Sequence, residues 1–331
     1  MDLFNFDEMN NKNSSYIISE IGVNHNGSVK LAKELIKKSK WAGADAVKFQ
    51  LYDVEQNYNK QNTSKKKINW SKKLLLPLKD FYFLKKYTEK YKLDFICSVF
   101  DTISFKNYLG LKPQIVKLPS SEVNNFDLLN QIKNSNLKVI FSSGIIRKKR
   151  IKEIKKILQR KTLKHKILKK NSYCLYCVSK YPSVITDYNM RYYKDYFAKK
   201  IFNGLSDHTK SNDILSIGSF IGCEIIEKHI MLEKTPCPDK DVSITPIEFK
   251  KMVSSVRSIE QMLRENSVNT TDINFIKKGV YSKKIINKGD IFSLANIMLK
   301  KPLKNNGIEN IKNLYGKKSK KRFNANSPII K

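Results

Sequence analysis

The stretch Gly204 to Ile230, GLSDHTKSNDILSIGSFIGCEIIEKHI, decides how the rest of the chain is read. One apolar run, Lys200 to Leu205, leads into Ser206-Asp207-His208, and a second, Glu224 to Ile226, leads into Glu227-Lys228-His229. The amphipathic segment Asn212 to Gly222 lies between them, so the order predicts strand, helix, strand. In a parallel sheet both strands point the same way, and the two histidines then emerge at one carboxyl edge, where α/β proteins assemble their sites. They lie 21 residues apart, a spacing that suits a crossover helix, and are two of only four histidines in the chain. Two neutral imidazoles on adjacent strand ends suit a divalent transition metal with positions open for substrate. A lone histidine would more simply hydrogen-bond in a polar rim.

Outward from this unit, β-like runs alternate with helical patterns. The runs are Tyr16–Ile21, Asp45–Phe49, Asp94–Ser98, Ile115–Leu118, Lys138–Ser142, Tyr173–Val178, Lys200–Leu205 and Glu224–Ile226. Helical periodicity fills the gaps at Val29–Trp41, Lys79–Tyr91, Phe126–Asn134, Lys148–Leu158, Asp187–Lys199 and Asn212–Phe220, and Pro246–Leu263 follows the last run. Eight strands with helical crossovers in about 250 residues predict an α/β fold, a (β/α)8 TIM barrel, over residues 1–264. From Arg264 to Asn274 the chain is polar and aperiodic, and a linker is expected over 265–279. Residues 280–331 hold short strands broken by Asn287-Lys288-Gly289-Asp290, Pro302, Asn306-Gly307 and Gly316, which predicts a second, small β-rich domain. The lysine-rich stretch Arg160 to Asn171, with His165, reads as a solvated loop without a functional assignment.

Composition narrows the class of function. The chain has 331 residues and 40% hydrophobic content, enough for a substantial core. Its first residues, MDLFNFDEMNNKN, lack the apolar core of a signal peptide, and no apolar run approaches the ~20 residues of a membrane span, so a cytoplasmic protein is expected. The five cysteines are scattered; Cys174 and Cys177, three apart on one strand, point to opposite faces and read as core. The net charge of +34 suggests a polyanion partner, yet the lysines are spread along almost every helix and loop, and no nucleic-acid-binding motif is present. An anionic small-molecule substrate is the more economical reading.

If the barrel is right, the strand ends carry the chemistry. Strand one ends in Ser19-Glu20-Ile21-Gly22, followed by Asn24-His25-Asn26-Gly27, and strand two offers Lys48 and Gln50. Strand four gives Lys117 and then Ser120-Ser121-Glu122, strand five Ser142-Ser143-Gly144, and strand six Ser179-Lys180-Tyr181-Pro182. Strands seven and eight bring Ser206, Asp207, His208, Glu227, Lys228 and His229. A lysine inside a buried strand is costly unless paired, so Lys48 and Lys117 need an anion, and lysines among serines and glycine-flanked amides suit phosphate and carboxylate. If that anion is substrate, replacing either lysine with Met is expected to leave stability unchanged or raised. Glu20 and Glu122 would accept hydrogen bonds from a polyhydroxylated partner or serve in acid–base work. The alternative is a structural Lys–Glu pair in a barrel mouth.

The motifs Glu20 to Gly27, Gly43 to Gln50, Lys117 to Glu122, Cys177 to Pro182, Ser206-Asp207-His208 and Glu227-Lys228-His229, taken in order, resemble the sialic acid synthase (N-acetylneuraminate synthase) family. The resemblance covers nearly the whole chain, and the tail looks like that family's antifreeze-like (SAF) domain. It implies an enzyme that joins phosphoenolpyruvate to the open-chain aldehyde of an N-acetylated mannosamine-type sugar, releasing phosphate. It also implies dependence on a divalent ion, Mn2+ foremost, with Mg2+ or Co2+ as alternatives. By resemblance, His208 and His229 would hold the metal. Lys48, Lys117, Ser120, Ser142, Ser179, Tyr181 and Ser206 would hold phosphoenolpyruvate, and Glu20, Glu122, Asp239 and Lys301 would meet the sugar, with Glu20, Lys117 and Glu122 catalytic. A homodimer with exchanged tails also follows from the resemblance, while composition and the lack of binding motifs lead to the expectation of neither nucleic acid nor membrane as partner.

The chain departs from the family pattern in places. Cys237 in Pro236-Cys237-Pro238-Asp239 stands where glycine is usual, Ser179 where some members have asparagine, and Lys301 where a sugar-contacting arginine is usual. Lysine and arginine are not interchangeable at a shaped contact. Rival readings are a legionaminic-type or other nonulosonate synthase, a deoxy-octulosonate phosphate synthase and, from another class, a basic nucleic-acid-binding protein on a degenerate barrel. The stretch Asp53 to Pro77 after strand two is expected to cover the sugar.

Overall fold

Runs rich in Ile, Val and Phe become strands because their side chains alternate between two faces that a closed sheet can bury together. The computed structural model describes residues 14–144, 146–158, 170–264 and 273–331. Eight parallel strands pair in chain order: β1 (Tyr16–Gly22), β2 (Ala46–Leu51), β3 (Asp94–Val99), β4 (Ile115–Leu118), β5 (Lys138–Ser142), β6 (Ser172–Tyr176), β7 (Gly204–Asp207) and β8 (Ile225–Ile230). β8 returns to pair with β1 from Tyr16↔Ile225 to Glu20↔His229, so the sheet closes into a (β/α)8 barrel. A short β9 (Ser243–Ile244) extends β8 at His229↔Ser243.

Several elements differ from the sequence reading. Lys200 takes a left-handed backbone, φ 56°, at the end of the helix Met190–Ala198, so β7 starts at Gly204 rather than at Lys200. β7 and β8 also continue through Ser206-Asp207 and Glu227-Lys228-His229, where Ser206 and Lys117 bond Glu227 on the inner face and Lys228 pairs with Asp207 on the outer one. A helix not anticipated, Thr102–Gly110, is capped by Asp101, whose side chain accepts from the Ser104 amide at 2.6 Å. The stretch Asp53 to Pro77 carries two helices, Val54–Asn57 and Lys65–Leu74, and packs Ile68 and Leu74 against Val23, Tyr52 and Val54. The loop with His165 lies mostly outside the described residues, as does half of the expected linker.

The barrel interior has an apolar floor. Tyr16, Ile18, Ala46, Ile96, Ile115, Ile140, Tyr173, Leu175 and Ile225 form one buried cluster. The opposite faces of the strands pack against the surrounding helices in a larger one that includes Phe49, Cys97, Phe141 and Leu205. Cys174 belongs to that outer cluster, whereas Cys177 lies beyond β6; both thiols are free and buried.

The chain divides after Arg264 into two compact units. In the second, β10 (Gly279–Ser282) pairs antiparallel with β11 (Ile297–Lys300), and isolated bridges such as Ile286↔Phe323 and Gly307↔Ile330 tie the remaining segments together. Its core is Val280, Ile286, Phe292, Ile297, Phe323 and Ile329.

Closure at β7 depends on a small residue. A Cβ at Gly204 would collide with the Ile225 carbonyl oxygen and the Leu175 side chain. Gly204→Ala is therefore expected to cost about 1–3 kcal/mol. Urea denaturation against the wild-type chain reads this, and unchanged stability would show that the β7–β8 contact can relax.

Candidate active site

The strands that build the apolar floor continue upward with the same side-chain alternation, and on seven of the eight a polar residue stands two positions beyond a residue at floor level. Ile18 is followed by Glu20, Ala46 by Lys48, Ile96 by Ser98, Ile115 by Lys117, Ile140 by Ser142, Gly204 by Ser206 and Ile225 by Glu227. All are at most 4% exposed. Lys48 Nζ lies 2.7 Å from Glu20 Oε2 and 3.7 Å from Glu227 Oε2, and donates to Ser98 Oγ at 2.8 Å. Lys117 Nζ donates to Ser142 Oγ at 2.8 Å and to Glu227 Oε1 at 3.1 Å, where Ser206 Oγ also donates at 2.8 Å. Two ammonium and two carboxylate groups thus form one buried layer that is formally neutral.

The electrostatics follow from that layout. Burial alone would raise the Glu227 carboxyl, but Lys117 and Lys48 hold it down at about 2. Burial also works against the charge on Lys48, yet Glu20 and Glu227 outweigh it and raise the pKa. For Lys117 burial wins over Glu227, and its pKa is lowered. Glu227 is thus the anion both lysines share, a role the sequence reading did not give it, although its spacing of two from His229 marks the same face.

One further step up, His208 and His229 face one another with ring centroids 5.5 Å apart. His208 Nδ1 lies 2.8 Å from the Val178 carbonyl oxygen, which can only accept, so Nδ1 carries the proton and Nε2 presents a lone pair. Burial, then the neighbouring His229, pushes His208 down to about 4, so the ring is neutral at physiological pH. The Tyr181 hydroxyl lies 2.9 Å from His208 Nε2. His229 Nδ1 and Asp239 Oδ2 are buried without a hydrogen-bond partner and lie 3.4 Å apart. Asp239 is placed by Asn24, whose Oδ1 accepts from its amide at 3.0 Å and whose Nδ2 donates to the Ile230 carbonyl and to Ser243 Oγ. At Gly22, φ 55°, a Cβ would crowd Asp239 Oδ2, Glu20 Oε1 and Gln50 Nε2 within 3.1–3.3 Å, so these three groups converge.

A third cluster flanks the lysines. Ser120 and Ser179 Oγ atoms are 3.1 Å apart, and a Cβ on Gly144 would strike both residues. The Gly144 amide points at Cys177 Sγ, 3.2 Å away. Glu122 is half-buried and instead accepts from Asn125 Nδ2 at 3.0 Å in its own turn. Lys301 is an exposed residue of the second unit. Asp207 and Lys228, counted among the strand-end groups, face outward, away from the mouth, and pair with each other at 2.6 Å. His25 is buried against Phe49 outside the barrel, 5.9 Å between ring centroids, and burial pushes it down to about 4.

The ring nitrogens of His208 and His229 beside the Asp239 carboxylate suit a divalent ion, although among the described residues no three His, Cys, Asp or Glu side chains already surround one point. A closed barrel whose mouth combines an ionic layer, a hydroxyl cluster and a pair of histidines defines a TIM-barrel enzyme. The model of the NeuB family matches residues 35–268. The chain belongs to the NeuB family and is a synthase of that family.

An N,N'-diacetyllegionaminic acid synthase of Campylobacter jejuni is 33% identical over 314 residues, covering 88% of this chain and 91% of its own. Human N-acetylneuraminate-9-phosphate synthase is 29% identical, covering 92% and 88%. The crystal structure of an N-acetylneuraminic acid synthetase from Leptospira borgpetersenii, in complex with citrate, matches with a TM-score of 0.71 at 30% identity, covering 79% of this chain and 90% of that one.

The resident ion pairs reverse one sequence-based expectation. Removing one partner from a buried charge network strands the others, at a cost of about 3–5 kcal/mol. Lys48→Met and Glu227→Gln are each expected to destabilise the barrel by that order in urea denaturation. Stability at or above wild type in Lys48→Met would mean that the lysine is not held by Glu20 and Glu227 in solution.

Proposed function

We propose that the chain is a nonulosonic acid synthase that condenses phosphoenolpyruvate with the open-chain aldehyde of an N-acetylated hexosamine of the mannosamine type, releasing phosphate. The observation that carries this most is the joining of Lys48, Lys117 and the Ser120–Ser142–Ser179–Ser206 hydroxyls to the histidine pair at one mouth. Phosphoenolpyruvate offers only acceptors, and lysines with hydroxyls are the donors it needs. The relatives bear the names of legionaminic, N-acetylneuraminate-9-phosphate and pseudaminic acid synthases, which share this type of product.

In this reading the two lysines and Ser142 hold the anionic end of phosphoenolpyruvate, and Ser120, Ser179, Tyr181 and Ser206 line its phosphate. Glu20 and Asp239, which converge above Gly22, orient the sugar hydroxyls, with Glu122 at the rim. His208 and His229 would hold a divalent ion, Mn2+ by preference and Mg2+ or Co2+ as alternatives, and that ion when bound supplies Lewis acidity to a carbonyl oxygen. The methylene carbon C3 of phosphoenolpyruvate forms the new bond to the aldehyde carbon, whose oxygen takes up a proton; water adds to the phosphate-bearing carbon C2 and gives up a proton, and the carbon–oxygen bond from C2 to phosphate breaks, leaving a 2-keto acid and inorganic phosphate. The chain's own share is to align two small reactants, with phosphoenolpyruvate held as the anion, which lowers the barrier mainly through orientation.

The second unit is read as the antifreeze-like (SAF) domain of the family, serving a partner subunit in a homodimer, with Lys301 toward the sugar. No helix among the described residues is long and apolar enough to cross a membrane. A cytoplasmic location is part of the same reading.

Phosphate release from phosphoenolpyruvate with a panel of N-acetylated hexosamines tests the reaction. Turnover is expected with at least one mannosamine-type sugar, to stop in chelator, and to fall at least a hundredfold in His208→Ala and His229→Ala. Near-normal turnover of either variant in chelator would sink the metal assignment, and inactivity with every sugar of the panel would sink the substrate assignment.

Subunit exchange is tested by mixing a tail-truncated chain with His208→Ala. Each is expected to be inactive alone and to regain partial activity in heterodimers, where one intact barrel receives one intact tail. Confirmed exchange with no recovered activity would mean that the tail does not act across subunits.

A further inference from the structure

Behind the two histidines, on the outer face of the strands, lies an ion pair that the reaction does not use. Asp207 and Lys228 have no accessible side-chain surface. Lys228 Nζ donates to Asp207 Oδ2 at 2.6 Å, to the Thr209 carbonyl, and to the Ser211 carbonyl at 3.3 Å. Asp207 in turn accepts from the Thr209 amide at 2.9 Å and from the Thr209 hydroxyl at 3.1 Å. Two ammonium hydrogens and both carboxylate oxygens are therefore spent on one turn, Thr209 to Ser211, and the third hydrogen joins the two side chains.

That turn follows His208 directly. The β7–β8 ladder ends at Asp207↔Lys228, so His208 is the first residue beyond it and lacks a strand partner to fix its backbone. Its amide is held by the Tyr188 hydroxyl at 3.1 Å and its carbonyl by the Ser183 amide at 3.2 Å, and the ion pair fixes the chain on its far side. The pair also joins the residues immediately preceding the two histidines, across adjacent strands. Stability does not account for it, because an apolar pair of similar volume is commonly as stable as a buried ion pair. An apolar pair could not hold two carbonyls, an amide and a hydroxyl of a turn at once.

We infer that Asp207 and Lys228 are positioning residues that set the separation and ring orientation of His208 and His229, and thereby the affinity of the mouth for a divalent ion. This rests on the histidine-pair reading above. Outer groups that orient metal-binding histidines typically alter affinity by about 10–100-fold.

The test uses the full chain and Mn2+ alone, with bound ion measured from the loss of the free Mn2+ electron paramagnetic resonance signal. The paired replacement Asp207→Leu with Lys228→Met is expected to keep the barrel, by circular dichroism and thermal melting, while weakening Mn2+ about 10–100-fold. Asp207→Asn combined with Lys228→Gln, which drops both charges and keeps hydrogen-bonding groups at the turn, is expected to weaken it severalfold and serves if the apolar pair does not fold. Wild-type Mn2+ affinity in either folded variant overturns the inference. The chain carrying both His208→Ala and His229→Ala separates the two readings: if wild type binds Mn2+ no better than this control, the histidine pair is not the metal site and the inference falls with it. If wild type binds and the control does not, the positioning variants alone decide.

Discussion

Two lysines pointing into a closed barrel can exist only with anions beside them, and the structure meets that requirement from within the chain. Glu227 reaches both Lys48 and Lys117, Glu20 completes the pair on Lys48, and the layer is neutral before any ligand arrives. Desolvating either ammonium alone would cost several kcal/mol, so the four groups are one unit rather than four contacts. An anionic ligand that docks on the lysines therefore exchanges one charge-assisted bond for another instead of meeting bare charge. Such a site binds through replacement, and its lysines are already aimed.

The histidines obey a different constraint. Burial lowers the charge on His208, and the Val178 carbonyl fixes its tautomer, so the free nitrogen faces His229 and Tyr181. Asp239 is carried in from beyond β8 by Asn24 and β9, which explains how a residue outside the strands comes to share the mouth with Glu20. The departures from the family pattern fall on residues that make no bond to the ionic layer. Ser179 still meets Ser120, Cys237 packs 3.9 Å from the Met231 sulfur, and Lys301 belongs to the second unit. None of them interrupts the ionic layer.

The sequence by itself determined the barrel and most of the residues at its mouth, because both rest on short-range periodicity. Alternation with a period of two predicts each strand, and the polar residues that end the apolar runs mark the carboxyl edge. What only the tertiary structure decided was which of those polar residues look inward and which partners they find. Asp207 and His208, or Lys228 and His229, are neighbours in sequence yet face opposite sides, and a boundary misplaced by a few residues, as at β7, hides that division. The pairing of Lys117 with Glu227 spans 110 residues, and that of Asn24 with Asp239 spans 215, so no local pattern encodes either. A lysine in a strand announces that it needs an anion, but closure of the sheet is what brings Glu227 to it.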